Sequence, residues 1–301
     1  MSGFISIQDH KIYYEIVGEE NLPVYLYLHG GPGTGSYDFM LLQAKRLSPF
    51  MRIIAIDQSG VLRSDIINDE DHFTFQQLID DCEFIREYFE LKEWGLIAHS
   101  FGGYLAAHYQ LQHPDKITQI IFECPTFDLG SSSRSLLLGA ANEYKRLGKY
   151  RDADECLRAA EIKDSAALWS VFTDLTNNLG EHRDNLYVHG ENKQFFNEIV
   201  RNSGIPNEQW GRSGTHQRKL FQEGKVFESV LERLESIQCP MFLIKGKYDW
   251  VASEDQISVF SNGQMNRKVS ILNHSGHFPR FEEPDLYADV IREFVCPAEQ
   301  N

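Results

Sequence analysis

Apolar and polar positions alternate over residues 4–7 and again over residues 11–17, with Gln8-Asp9-His10 between the two runs. A period of two marks strands with one wet face, and the polar triplet joins them as an antiparallel hairpin. Further along, short continuous apolar runs at 24–28, 52–56, 95–98 and 117–122 take turns with helical periodicity at 38–47, 74–91 and 101–113; the second helix opens on Thr74 as its N-cap. Strands apolar on both faces, each followed by an amphipathic helix, predict an α/β fold with a mostly parallel sheet covered on both sides. From about residue 128 to 235 the strand rhythm stops. That stretch is charged, helical in pattern and carries Trp169, Phe172, Tyr187, Phe195, Phe196, Trp210 and Phe221, which predicts a helical cap inserted into the sheet-forming sequence. Strand patterning returns at 241–245 behind Pro240, followed by a helix at 254–261, a strand at 268–272 and a last helix at 284–295.

Composition narrows the partners. A chain of 301 residues with net charge −15 and pI near 5.2 repels phosphate backbones and anionic bilayers alike, so neither nucleic acid nor membrane is expected as a partner. Cys82, Cys124, Cys156, Cys239 and Cys296 are scattered, odd in number and without a C-x-x-C pair, which argues against a disulfide framework or zinc site. The opening MSGFISIQDHKIYYE lacks a basic stretch followed by a long apolar one, and no segment nears the roughly 18 apolar residues of a membrane span. The expectation is a soluble, cytoplasmic protein in which the sequon Asn273-His274-Ser275 goes unused.

The glycine loop LHGGPGTGS at 28–36 follows the first buried strand and suits one of two chemistries. Gly30 and Gly35 have P-loop separation, but Ser36 stands where a phosphate-neutralising lysine is required. The alternative is that its N–H groups receive the oxyanion of a carbonyl under attack, which demands a nucleophile elsewhere. Ser100 supplies one: WGLIAHS runs as a strand directly into the helical FGGYLAAHY, so the serine lies at a sharp strand-to-helix turn with Ala98 and Gly102 as small neighbours. Taken alone, the same serine equally suits a helix N-cap. A serine hydroxyl needs a base, and the base an orienting acid. Asp249 in MFLIKGKYDW and His277 in VSILNHSGHFPRFEEP follow the next two strands, in the order serine, acid, histidine. Asp255 is the weaker rival acid, being inside a helix; His29, His99 and His274 are the rival bases, and Gly276 is expected to let the loop turn His277 inward. A metal held by His274 and His277 lacks a third ligand nearby.

With HGGPG at 29–33, DQSGVLRSD at 57–65, the Ser100 turn, GKYDW and GHFPRFEEP together, the chain resembles the proline iminopeptidase branch of the α/β-hydrolase superfamily. The resemblance spans residues 1–127 and 236–297, and it implies a core at 1–127 and 236–301 with a cap at 128–235. It implies a triad of Ser100, Asp249 and His277, an oxyanion hole from the N–H groups of Gly31 and Phe101, and no cofactor. Pro32 cannot donate and would hold the turn rigid. The chain departs from the family at two places. Ser59 stands where D-Q-R-G has arginine, with Arg63 close by; Trp169-Ser170-Val171-Phe172-Thr173 lacks the glutamate of W-S-x-W-E, which is implied to bind a substrate's free amine. Asp174 is adjacent, about 100° round the helix, and Glu143, Glu181, Glu191 and Glu208 are further carboxylates of the cap. Trp169, Phe172 and Asp174 are the expected pocket residues. The expected activity is hydrolysis of amide or ester bonds of a small molecule or short peptide through an acyl-enzyme. An aminopeptidase stands first, an esterase, lactonase or amidase second, and a non-catalytic binding protein third.

Overall fold

A computed structural model describes residues 1–7, 10–190, 193–263 and 266–297. Eight strands among them form one sheet: β1 (Ser2–Ile7), β2 (His10–Val17), β3 (Val24–Leu28), β4 (Arg52–Asp57), β5 (Trp94–His99), β6 (Ile117–Glu123), β7 (Met241–Gly246) and β8 (Arg267–Leu272), in the order β1-β2-β4-β3-β5-β6-β7-β8. Both pairings of β2 are antiparallel and the remaining ones are parallel. His10, expected in the turn, already pairs with Ile7 as the first residue of β2, while Gln8 and Asp9 lie outside the described residues. The helices of the sheet layers are α1 (Tyr37–Leu47), α2 (Phe75–Tyr88) and α3 (Phe101–Gln112). As expected, Thr74 caps α2 by accepting from the Gln77 N–H.

The buried strands show why their sequences read as unbroken apolar runs. Successive side chains point to opposite faces, so Leu26 and Leu28 of β3 pack on one side with Leu96, Phe122, Leu78 and Tyr104. Tyr25 and Tyr27 pack on the other with Phe39, Ile97, Ile244 and Tyr287. Each face thus has its own core, and the C-terminal ends of the parallel strands meet at one edge, where loops collect.

Between β6 and β7 the described residues form helices α4 (Leu129–Arg146), α5 (Tyr150–Ala159), α6 (Ser165–Asn177), α7 (Phe195–Asn202), α8 (Asn207–Trp210) and α9 (Gly214–Glu223), with short 3-10 turns and no strand. Helices α4, α5 and α6 enclose a third apolar cluster that includes Leu137, Tyr144, Cys156, Leu168 and Phe172. The end of this region behaves differently: Leu220, Val226, Val230 and Leu234 join the main core beside Phe75 and Phe101. After β7 come α10 (Glu254–Ser261), α11 (Pro279–Glu282) and α12 (Pro284–Val295); α11, four residues long, had no separate signal in the apolar pattern. No helix among the described residues is long and apolar enough to cross a membrane.

Candidate active site

Ser100 joins β5 to α3 with φ 53° and ψ −120°, a positive φ that a side chain rarely adopts. The turn is held on both sides: Ser100 N–H donates to the Glu123 carbonyl at 3.0 Å, and the Ser100 carbonyl accepts from Gly103 and Thr126 at 2.8 and 3.0 Å. Gly102 is required here by closeness, since a Cβ would lie 2.2 Å from the Leu28 carbonyl oxygen. The reading of Ser100 as an ordinary helix cap is not met, because its side chain makes no capping hydrogen bond.

Asp249 follows β7 and is buried. Its Oδ1 accepts from His277 Nδ1 at 3.0 Å and from the Val251 N–H at 2.9 Å; Oδ2 accepts from Ala252 N–H at 3.0 Å. Burial alone raises this carboxyl, but the His277 ring, the hydrogen bond between them and the Lys245 ammonium outweigh it and hold Asp249 below the usual carboxylate range. His277, in the loop after β8, turns its other nitrogen away from this contact. Gly276 admits the loop through close approach and not through a left-handed turn: a Cβ would meet the Tyr187 carbonyl oxygen at 2.4 Å.

The rival residues do other things. His274 and Asp255 are exposed. His29 is buried, accepting the Gln58 N–H on Nε2 at 3.1 Å while its Nδ1 meets the Gly30 carbonyl, so it ties two loops together. His99 lies with its ring centroid 4.7 Å from that of His277, and burial, then the Arg280 and His277 charges, push it well below the usual imidazole range.

Ser100, His277, Gly31, Pro32 and Phe101 line one cavity of about 70 Å³. Among the described residues no hydrogen bond joins Ser100 to His277; catalytic contacts of this kind commonly tighten only with substrate bound. Phe101 opens α3, so its N–H has no partner within its own helix. Gly31, at φ 115°, lines the same cavity, and Gln217 of α9 anchors that loop by donating to the Pro32 carbonyl at 2.7 Å.

Of the expected pocket residues, Trp169 lines the cavity. Phe172 packs behind it, buried in the cluster of α4–α6, and Asp174 is exposed on the far side of α6, so neither reaches the cavity; the helical turn carries each past it. Glu143 is engaged by Arg146 and Asn185, Glu181 and Glu208 are exposed, and Glu191 lies outside the described residues. Among the described residues no carboxylate lines the cavity; Asp249 lies behind His277. Ser59 donates to Asp81 at 2.9 Å, and Arg63 pairs with Asp57 at 2.6 Å and Glu15 at 2.9 Å, bracing the loop after β4 from beneath.

Two contributors escaped the sequence pattern. Tyr187 lines the cavity and its carbonyl accepts the His277 N–H at 2.6 Å. Glu282 accepts from the N–H groups of Gly276 and Phe278, which flank His277, and from that of His189 at 2.6 Å. Burial pushes its carboxyl up to about 7 against the pull of those three donors. Glu282 stood within the GHFPRFEEP segment, but only the fold of that segment shows what it holds.

Cys124 joins Asp249 and His277 in a group whose donor atoms lie within 4.8 Å. Burial pushes the Cys124 thiol well up, and its Sγ accepts from the Gly246 N–H at 3.5 Å.

A family model described as alpha/beta hydrolase fold matches residues 23–284. The chain belongs to the α/β-hydrolase family. This hydrolase is 28% identical to the proline iminopeptidase of Heyndrickxia coagulans over 97% of its own length and 98% of the relative's. It is 26% identical to that of Saccharolobus solfataricus over 97% and 91%. Among solved structures, a proline iminopeptidase-related protein of Thermus thermophilus is similar with TM-score 0.74 at 20% identity, over 97% of this chain and 96% of that one. An esterase of Exiguobacterium antarcticum is similar with TM-score 0.67 at 17% identity, over 98% and 99%. At those identities the structural likeness shows the fold alone.

Proposed function

We propose that this hydrolase cleaves amide or ester bonds through an acyl-enzyme carried on Ser100, acting as a proline iminopeptidase-like aminopeptidase. The observation that carries the proposal is the cavity lined together by Ser100, the Asp249-bound His277, Gly31 and Phe101. Ser100 Oγ attacks the carbonyl carbon while its proton passes to His277 Nε2. Asp249 holds Nδ1–H, fixing the tautomer and favouring the imidazolium that forms. The carbonyl oxygen becomes an oxyanion facing Gly31 and Phe101, each donor contributing about 3–4 kcal/mol in a dry site. His277 then protonates the departing nitrogen or oxygen, and water repeats the sequence to release the acid. Residues 128–235 act as a cap, with Trp169 and Tyr187 closing the cavity.

At roughly 10–15 Å³ for each water it would hold, the cavity suits a group about the size of a five-membered ring. Leu129, Leu136, Phe221, Val226 and Val251 give it apolar walls. Both features favour a prolyl side of the scissile bond, in keeping with the names of the full-length relatives. One observation favours a second reading, an esterase or amidase indifferent to a free amine: the lining hydroxyls of Thr126, Ser132 and Tyr187 are neutral, and among the described residues no carboxylate joins them. Proline 2-naphthylamide, its N-acetyl form and a short p-nitrophenyl ester separate the two. The aminopeptidase reading expects the free-amine compound to be preferred; preference for the acetylated one overturns it in favour of the second. A cytoplasmic location, with no nucleic-acid partner, accords with the acidic charge.

A further inference from the structure

A second opening lies beside the catalytic cavity. It has a volume of about 390 Å³ and begins one residue beyond each catalytic landmark: Gly33 and Thr34 continue the oxyanion loop past Pro32, and Phe278 follows His277. Its apolar wall comes from α7 and α8, with Phe196, Ile199, Val200 and Trp210 facing Phe278. Phe196, Val200, Trp210 and Phe278 are only half-buried, so their surfaces are open to an occupant.

The cation at its floor is already fully engaged. Arg280 is buried there, its guanidinium over the Phe278 ring at 5.0 Å. Its Nη2 meets Asp38 at 2.5 Å and its Nη1 meets Glu123 at 3.0 Å. Two carboxylates on one guanidinium leave no positive charge unmatched, and Asp38 itself lines the opening. A carboxylate placed there would lose its water without gaining a partner.

On the proposed catalytic reading, the imidazole of His277 must hand its proton to the departing group, which therefore leaves from the His277 side of the oxyanion loop. We infer that this opening is the leaving-group subsite, and that it selects an apolar, uncharged amine or alcohol, such as an aryl group or an apolar residue whose carboxyl is blocked. The catalytic cavity then takes the acyl side, and the substrate is uncharged and apolar just beyond the scissile bond.

Matched anilides test this on the full-length protein. With the acyl group fixed as whichever of prolyl or acetyl the enzyme turns over, kcat/KM is compared for the 4-methylanilide and the 4-(carboxymethyl)anilide. The second adds a carboxylate while changing the amine's basicity little. The wild type is expected to prefer the methyl compound about tenfold, and Val200→Lys to cut that preference about threefold or more. Labelling of Ser100 by a fluorophosphonate, at whatever rate, shows that the variant is folded with a reactive serine. Trp210→Lys provides the same test should Val200→Lys fail to fold. Equal turnover of the two anilides by wild type, or an unchanged preference in a lysine variant that still labels, overturns the subsite. Absence of any labelling or turnover in wild type would instead overturn the catalytic reading on which it rests.

Discussion

Ser100, Asp249 and His277 stand on loops at the ends of parallel strands, whereas Trp169 and Tyr187 reach the same cavity from the inserted helices. The first group is over-determined. Its backbone is pinned by the β5–β6 and β7–β8 ladders, and Gly102 and Gly246 admit neighbouring backbone so closely that a Cβ would come within 2.2 and 1.9 Å of it. The inserted region is looser at its turns, where a Cβ on Gly148, Gly180, Gly204 or Gly214 would meet nothing within 4 Å, although inside α4 a Cβ on Gly130 or Gly139 would come within 2.6 and 2.9 Å of side chains. On the proposed reading, chemistry sits on the more tightly held side, and selection of the substrate falls to the side with freedom to vary.

The largest expected difference between the two regions is kinetic. Ser100→Ala should lower kcat/KM by about 10⁴-fold or more with the melting temperature unchanged, and Asp249→Asn by about 10³–10⁴-fold, because the imidazole loses its tautomer. Trp169→Ala should act mainly on KM, raising it roughly tenfold, since it removes cavity wall and no reacting group. A comparable effect of Trp169→Ala on kcat alone would erase the division of labour.

Stability separates the regions next. Gly102→Ala should cost about 2–3 kcal/mol in urea unfolding, through overpacking against the Leu28 carbonyl. Gly214→Ala, at the start of α9 with open space around it, should be neutral or stabilising by up to about 1 kcal/mol. Equal losses at both positions would contradict the contrast.

The smallest effect concerns Glu282, whose hydrogen bonds join the His277 loop to His189. Its carboxyl holds a proton up to about pH 7 when folded but releases it near 4.5 when unfolded, so the folded state binds more protons between those values and loses stability as pH rises through them. Glu282→Gln abolishes that slope. The melting temperature of the variant minus that of wild type should rise from about pH 5 to about pH 8; a constant difference would mean that the carboxyl is not held in this way.

Much of the core was legible because its physics is local. A five-residue apolar run such as VYLYL, bounded by Pro23 and the glycine loop, reads as a strand buried on both faces, and a serine between such a run and Phe-Gly-Gly has few places to go. The last helix, beginning at Pro284, and the cap of α2 at Thr74 fell where proline and threonine put them. The inserted helices were legible as helices and no further. Trp169 and Asp174 are five residues apart on α6, yet one lines the cavity and the other faces solvent, and that outcome depends on how α6 packs on α4, which no periodicity encodes. Glu282 and Arg280 were hidden for a similar reason, since their partners Gly276, Phe278, Asp38 and Glu123 are assembled only when α11 folds beside β6 and α1.

The most direct test is labelling of the intact protein with a fluorophosphonate, followed by mass mapping and by comparison with His277→Ala. The account predicts a single adduct on Ser100 in wild type, with labelling slowed by about 10³-fold or more in His277→Ala. An adduct on another residue, or equal labelling of the two proteins, would contradict it.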